Sequence, residues 1–218
     1  MTHIVHPYSH RIGILRDWKS RWFGKREVYS DYLKTDVLLR EYLTKKLRRF
    51  HISSIEMERN EKFFRVNIKT ARAGMIIGRS GEGVQNLKKD IMKFMDKNKL
   101  SYPKEVKIDI EEIRYPETDA AVVGMMVAEG LEKRMPFRSI LKTTVEKVMA
   151  NREVKGVKIS LSGRLGGAEM ARREELKKGR IPLQTLRADI DFACEKAYMS
   201  YGIVGIKVWI YKGEVFKK

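Results

Sequence analysis

The segment Ile76-Ile77-Gly78-Arg79-Ser80-Gly81 constrains the fold of this chain more than any other feature. It lies between a short apolar stretch, residues 73–77, and a long amphipathic pattern over residues 84–95. Two glycines around two small or basic residues let a nucleic-acid backbone approach the main chain, and a following helix directs its first amides at phosphate. Arg79 adds a positive charge at this contact. The segment therefore predicts a turn between two helices that can bind a phosphate backbone.

Other glycine motifs fit the segment poorly. The order Gly78, Gly81, Gly83 is not the dinucleotide-binding G-x-G-x-x-G, and no Gly-Lys-Ser/Thr follows to form a nucleotide P-loop. An isolated G-x-x-G can also be no more than a tight interhelical turn, so the choice depends on the neighbouring elements.

Those elements have a characteristic order. An amphipathic helix is predicted over residues 30–47, with Asp31 as N-cap. Alternating apolar and charged residues predict strands around residues 55–57, 64–68 and 106–110. The order helix, strand, strand, short helix, glycine turn, helix, strand is typical of a type II KH domain, an RNA-binding module, and favours it over a plain turn. The apolar face of the first helix is predicted to contain Leu33, Val37, Leu38, Tyr42 and Leu47.

Tyr115-Pro116 ends this unit, because a residue before proline avoids helical geometry and proline cannot donate to a sheet. Beyond it the patterns predict helices over residues 117–134 and 136–149. Strands are predicted at residues 157–161, 182–191 and 204–210. The predicted fold class is α+β: a basic N-terminal arm (residues 1–29), an N-terminal type II KH domain (30–115) and a second α+β domain (116–218) with two helices packed on a small, mostly antiparallel sheet.

The net charge of +18 indicates a polyanionic partner, since Lys and Arg that neutralise phosphates release condensed counterions. Nucleic acid is the first candidate. A membrane surface would require a basic helix with an apolar opposite face, and the sequence has no clear one.

The longest apolar run, residues 120–128, is too short to span a bilayer. With no secretory signal and a single cysteine, Cys194, the chain is expected to be cytoplasmic.

Basic and aromatic residues alternate in the N-terminal arm. Such a mixture can both neutralise phosphate and stack on bases. The alternative is that the aromatic side chains only pin the arm to a domain. The candidate RNA-binding residues of the arm are Arg11, Lys19, Arg21 and Trp22.

Longer motifs extend over nearly the whole chain. They are residues 6–7, 11–14 and 18–23 near the start, Ser162 to Arg172, residues 179–183 and 185–191, and finally Tyr201 to Ile210. Together with the glycine turn, these motifs resemble the bacterial-type family of the third protein of the small ribosomal subunit.

The resemblance implies a structural, non-enzymatic protein that binds rRNA in the head of the small subunit, beside neighbouring ribosomal proteins and near the mRNA entry channel. In that family, basic residues of one helix are implicated in holding mRNA and opening its secondary structure. The matching positions are Arg138 and Lys142, one helical turn apart. Ser139 stands where relatives usually carry a basic residue, so nearby Lys133 and Arg134 are further candidates. The alternative is an ordinary solvated helix face.

Two further sets of RNA-binding residues are expected. The first is the KH turn, which could contact rRNA or mRNA. The second is a C-terminal set expected to dock on rRNA. The residues are Gly78, Arg79, Ser80 and Gly81 in the turn, and Arg164, Arg172 and Arg173 in the C-terminal set.

A nucleic-acid-processing enzyme, such as a lyase or endonuclease with a KH substrate-binding module, is the competing hypothesis. Asp189 and Asp191 could belong to a two-metal site, but no third carboxylate or histidine accompanies them, so an arginine-balanced polar face is preferred. His3, His6 and His10 lack the further ligands of a closed zinc site. The sequence therefore predicts no catalytic residue, no metal and no cofactor.

Overall fold

The computed structural model describes residues 5–60, 62–103 and 105–216. They form two compact units. One contains the described residues from Trp18 to Arg114, and the other contains those up to Asp17 and those from Tyr115 onward. The stretch that the sequence treats as one arm over residues 1–29 is therefore divided between the two units.

The helices and strands are α1 (Pro7–His10), β1 (Ser20–Arg21), α2 (Arg26–Lys46), β2 (Ile52–Arg59), β3 (Phe63–Thr70), α3 (Ala73–Ile77), α4 (Glu82–Lys97), β4 (Glu105–Glu112), α5 (Ala120–Glu132), α6 (Phe137–Ala150), β5 (Gly156–Gly163), β6 (Arg172–Gly179), β7 (Ala188–Met199) and β8 (Gly202–Glu214). Short 3-10 turns lie at Arg48–Phe50, Arg79–Gly81, Pro116–Thr118 and Leu165–Gly167.

The first unit has the element order and layered packing of the predicted KH domain. Its sheet has the order β1-β2-β3-β4, in which β2 and β3 are antiparallel and the other neighbours are parallel. Helices α2 and α4 contact each other and the sheet. Strand residues alternate between the two faces of the sheet, so one face is apolar and the other charged. The buried core includes Leu39, Leu43, Met57, Phe64, Val66, Ile68, Leu87, Ile91 and Met95.

Helix α2 differs from the prediction in its start and in its buried face. It begins at Arg26, one turn before the predicted start, and Asp31 lies inside it and caps nothing. Leu33 and Val37, predicted to be in the core, are each 47% exposed. The buried face instead contains Leu39 and Leu43 together with a buried carboxylate, Asp36, which pairs with Arg59 of β2.

The second unit packs two helices on an antiparallel sheet, as predicted. The sheet has the order β6-β5-β8-β7, and every neighbouring pair is antiparallel. Helices α5 and α6 contact each other and this sheet. Asp119 caps α5 by accepting hydrogen bonds from the amides of Ala121 and Val122. The core between the layers includes Val123, Val127, Leu131, Leu141, Val145, Ile159, Leu161, Ile206 and Val208.

Two strand assignments in this unit differ from the sequence expectations. The strand predicted over residues 182–191 begins only at Ala188, because the carbonyls of Leu183 and Thr185 accept hydrogen bonds from an arginine side chain instead of a neighbouring strand. Strand β6 was not predicted, since its sequence is almost entirely charged. Within the described part of the chain, no helix is both long and apolar enough to cross a bilayer.

Candidate nucleic-acid interface

The glycine turn has the backbone that its sequence predicts. Gly78, Ser80 and Gly81 take positive φ values of 69°, 51° and 80°, in the region that favours glycine. A Cβ at Gly83 would collide with the carbonyl oxygen of Ile76, so α3 and α4 approach each other closely only because this residue is glycine. The turn therefore reverses the chain between two helices that touch at their ends.

The same turn presents groups that suit a phosphate backbone. Arg79 and Ser80 are exposed, and Gly81 occupies the N-cap of α4, where it has no side chain to cover the first amides. Helix N-terminal amides bind anions through their N–H groups and the helix dipole. Exposed Lys88 and Lys89 follow on α4. The structure thus brings the four predicted turn residues together at one accessible edge, where Arg79 is the cation and exposed Glu82 is a neighbouring anion.

The outer face of the KH sheet is charged but internally neutralised. The guanidinium of Arg21 lies 2.9 Å from a carboxylate oxygen of Glu56 and 2.7 Å from one of Glu58. Lys69 pairs with Glu56 at 2.8 Å. Burial opposes ionisation of Glu56, but hydrogen bonds and charge from Lys69 and Arg21 outweigh it and lower the pKa of this carboxyl. Other pairs on this face are Arg65–Asp109 and Lys107–Glu105.

Trp22 is partly buried and is held by contacts within the first unit. Its indole N–H donates to Asp36 Oδ2 at 2.8 Å, and its ring packs against Tyr29 and Tyr32. Asp36 in turn lies 3.6 Å from the buried guanidinium of Arg59. These contacts pin Trp22 to the unit, whereas Trp18 and Phe23 of the same segment are 61% and 91% exposed. The side chain of Lys19 in the same segment is exposed.

Arg11 does not contact solvent, which corrects its assignment as an RNA-binding residue. Its side chain is 0% exposed. Its guanidinium donates to four backbone carbonyls at 2.7 to 3.0 Å, and these belong to Pro7, Leu183, Thr185 and Ala188. Burial, partly offset by Asp189, lowers the pKa of Arg11. Arg11 is a structural residue that fastens the N-terminal segment to the loop before β7.

The two carboxylates that could have suggested a nuclease are also engaged in structure. Arg16 lies 2.8 Å from Asp189 and 3.8 Å from Asp191. Asp191 also accepts a hydrogen bond from the Ala120 amide at the start of α5. This is an arginine-balanced polar face, as the sequence favoured, but the cation is Arg16 and not Arg187, which strand alternation places on the same face.

The histidines of the N-terminal segment have structural surroundings. His6 accepts a hydrogen bond from the Ser9 amide and meets the ring of Phe192 edge-on. His3 lies outside the described residues. Within those residues, no group of three or more His, Cys, Asp or Glu side chains could hold a metal ion.

Helix α6 carries the predicted mRNA-facing residues on its surface. Arg138, Ser139 and Lys142 are all exposed. Just before this helix, Lys133 pairs with Glu129 at 2.9 Å, and Arg134 takes a left-handed backbone with φ of 59° where α5 ends. The basic residues therefore cluster at the α5–α6 corner and along the first turns of α6.

Arg138 also lies near Arg172, which the sequence predicts to dock on rRNA. The guanidiniums of Arg138 and Arg172 each lie 5.6 Å from the ring centroid of Phe137. Each is also 3.5 Å from a separate oxygen of the Glu174 carboxylate. Neither Phe137 nor Glu174 was predicted to belong to this site. Phe137 and Arg138 are adjacent in the sequence, but the position of β6 beside α6 cannot be read from it.

The other two C-terminal candidates are more constrained. Arg173 donates to Ser160 Oγ at 3.0 Å and pairs with Glu175 at 3.0 Å. A hydrogen bond from Lys158, opposed by burial and aided by the charges of Lys158 and Arg173, lowers the pKa of Glu175. Arg164 donates to the Ala168 carbonyl at 2.9 Å, within its own loop. These contacts hold both side chains close to the protein.

Known proteins and families resemble the chain over nearly its whole length. The family model described as "KH domain" matches residues 38–118, and "Ribosomal protein S3, C-terminal domain" matches residues 127–210. The small ribosomal subunit protein uS3 of Pseudomonas paraeruginosa is 47% identical over 211 residues, covering 97% of this chain and 89% of the relative. The uS3 of Endomicrobium trichonymphae is 44% identical over 218 residues, covering 100% and 90%.

The match spans both compact units, and identity at this level over almost the full length of each protein identifies a family. The uS3 of Clostridium novyi, 44% identical across 97% of this chain and 92% of its own length, agrees. The chain belongs to the family of the small ribosomal subunit protein uS3, whose members are structural constituents of the ribosome and not enzymes.

Proposed function

We propose that this protein binds rRNA in the head of the small subunit and forms part of the mRNA entry channel. There the surface of α6 holds incoming mRNA and helps to open its secondary structure. The membership in the uS3 family and the overall positive charge support a site on RNA. The particular arrangement of α6 supports the mRNA role.

The observation that carries the proposal is the availability of two cations on α6. Arg138 and Lys142 are exposed and four residues apart, so they lie on one side of the helix. Among the residues that the structure describes, Lys142 has no ion-pair partner. Within the described residues, the one ion pair of Arg138 is a 3.5 Å contact with Glu174, longer than the 2.7 to 2.9 Å typical of a charge-assisted hydrogen bond. Both cations can therefore turn to a phosphate at little cost.

The residue between them reduces the charge of this surface. Ser139 is exposed and lines a groove of about 240 Å³ between α5 and α6, with Met126 and Met135. Lys133 is partly neutralised by Glu129. We expect Arg138, Lys142 and Arg134 to supply most of the attraction for mRNA, with Lys133 contributing less.

The glycine turn is the second proposed RNA contact. Its exposed Arg79 and the first amides of α4 suit a phosphate backbone, whether that backbone belongs to rRNA or mRNA. Neighbouring ribosomal proteins are proposed partners for exposed apolar side chains such as Leu33 and Val37 of α2.

The test replaces both α6 cations. Small subunits carrying Arg138→Ala and Lys142→Ala should translate a message with a stable hairpin several-fold more slowly than wild-type subunits, because the strand entering the channel is held less well. Translation of an unstructured message should change little. Translation rate on the two messages is the measurement, and sedimentation of the subunits checks assembly.

A charge-matched control is available on another part of the same region. Lys147→Ala with Arg152→Ala also removes two exposed positive charges, one from a different side of α6 and one beyond its end. This variant should translate both messages at the wild-type rate. If the Arg138→Ala and Lys142→Ala variant translates the hairpin message at the wild-type rate, the mRNA role is refuted. If its subunits fail to assemble, these residues bind rRNA instead.

A further inference from the structure

Strand β6 and helix α6 present two arginines to a single carboxylate. Arg138 comes from the first turn of α6 and Arg172 from the start of β6, and each contacts one oxygen of Glu174 at 3.5 Å. We propose that Arg172 belongs to the same single-stranded RNA site as Arg138, and that Glu174 competes with the RNA phosphate for both guanidiniums. This inference rests on the proposed role of α6.

Phe137 holds the two guanidiniums side by side. Its ring is half-buried, with both guanidinium carbons 5.6 Å from the centroid. Attraction between a guanidinium and an aromatic ring is worth about 0.5 to 1 kcal/mol at an exposed site. The ring also lies beside the 3-10 turn at Gly166, where an added Cβ would be 3.9 Å from Phe137 Cε1. Phe137 is therefore a positioning residue that keeps two donors close together on a fixed surface.

The charges of this cluster leave a place for an anion. Two guanidiniums face one carboxylate, so the cluster keeps one positive charge. The side chains of Arg138 and Arg172 are 72% and 48% exposed, whereas that of Glu174 is 29% exposed. The ligand must reach the arginines from the solvent side, and a phosphodiester bears the single negative charge that balances the cluster. Arginine also offers the planar donor pair that phosphate oxygens prefer.

The long contacts indicate exchange and not a fixed ion pair. On the opposite face of the same strand, Arg173 pairs with Glu175 at 3.0 Å and also donates to Ser160. Glu175 is also shared by two cations, but both contacts are short, since Lys158 pairs with it at 3.0 Å as well. Glu174 contacts both of its arginines only at 3.5 Å, so a phosphate displaces it more easily. Glu174 thus limits affinity, which lets a moving strand be released after each contact.

The experiment measures binding of a fluorescent, unstructured oligouridine to the purified full chain over a series of salt concentrations. Every protein carries Arg79→Asp and Ser80→Asp, so that the glycine turn contributes little to the signal. Arg172→Ala should weaken binding several-fold, as should Arg138→Ala, and removal of both arginines should reduce the slope of log affinity against log salt by about one, because they share one phosphate. Glu174→Gln should tighten binding several-fold. Arg173→Ala and Glu175→Gln are the matched controls and should change neither quantity.

The double variant Arg138→Ala and Arg172→Ala tests whether the two arginines share one site. Its loss of affinity should be smaller than the product of the single losses, because two residues that bind the same phosphate do not act independently. If the loss of affinity in the double variant equals the product of the two single losses, the two arginines do not share a site. A weaker Glu174→Gln variant would overturn the competition, since the carboxylate would then be needed to orient the arginines.

Assembled subunits show whether the bound phosphate belongs to mRNA or to rRNA. If mRNA supplies it, Arg172→Ala subunits should sediment normally and slow down only on the hairpin message. Defective assembly would identify rRNA as the ligand and overturn the link to Arg138. If Arg138→Ala changes oligouridine binding and Arg172→Ala does not, this inference fails while the proposed function stands. If both are inert, the proposed function fails as well.

Discussion

Arginine has opposite roles in two regions of this protein. At the N-terminal segment, Arg11 is buried and donates to four carbonyls, and Arg21 is neutralised by two carboxylates. On the surface of α6 and β6, Arg138 and Arg172 are exposed and share one carboxylate. The first region consumes its positive charges to build the fold, whereas the second keeps charge available for a partner.

The comparison shows how little a net charge says about individual residues. The surplus of +18 indicates a polyanionic partner, but the density of basic residues in the first part of the chain does not say which of them are exposed. What decides availability is the number of acceptors around each cation and their distance. Burial of a guanidinium is tolerated only when its donors are satisfied, so a buried arginine is already committed to protein acceptors.

The largest expected effect is the loss of stability when the buried arginine, Arg11, is replaced. Arg11→Ala should lower the free energy of unfolding by about 3 kcal/mol or more, because it leaves four carbonyls without their donor. Urea-induced unfolding of the full chain measures this loss. Arg11→Lys is the control. Its free energy of unfolding should lie between those of the wild type and of Arg11→Ala, since an ammonium can reach only some of the acceptors. A loss below about 1 kcal/mol for Arg11→Ala would show that the guanidinium is not structural.

The next prediction compares two faces of the KH unit. Arg79→Asp with Ser80→Asp should weaken binding of single-stranded RNA about tenfold at low salt, because two negative charges are placed where a phosphate would lie. Arg21→Ala, from the neutralised sheet face, should leave the affinity within about twofold. Oligouridine titration of otherwise wild-type chains measures both. Equal losses for the two variants would remove the distinction between the faces.

The smallest effect concerns the acid stability of the sheet face. The pKa of Glu56 is lowered in the folded protein, so its contribution to stability is fully present above the ordinary pKa of a glutamate and is lost as the pH falls through its folded pKa. Acid should therefore weaken the KH unit relative to neutral pH. Glu56→Gln should be less stable than wild type at neutral pH and should show a smaller decrease in acid. Hydrogen exchange of β2 amides at several pH values measures this, and an unchanged pH dependence would contradict it.

Most of the architecture could be predicted because it depends on local pattern. The α+β class, the KH element order, the two helices on an antiparallel sheet and the family were predicted correctly. Membership in the uS3 family also confirms a non-enzymatic protein of the cytoplasmic ribosome. These conclusions rest on glycine spacing, strand alternation and long motifs, all of which are properties of neighbours in sequence.

The errors have a common cause in contacts distant along the chain. Leu33 and Val37 were assigned to the apolar face of α2 because they fit a helical period, but Leu39 and Leu43 fill the buried face, beside Asp36 and its pairing with Arg59 of β2. Strand β6 was missed because its charged residues show little apolar alternation, and it forms by pairing with β5. The RNA-binding roles of the solvent-exposed candidates stay predictions.

The sequence by itself determined the glycine turn, the two α+β units and the family, because each follows from residues close together in the chain. Only the tertiary structure decided which cations remain available. Arg11 is withdrawn by carbonyls more than 170 residues away, and Arg172 is brought beside Arg138 by the packing of β6 on α6. Electrostatic availability depends on distance in space and on burial, and neither quantity is encoded in the local order of residues.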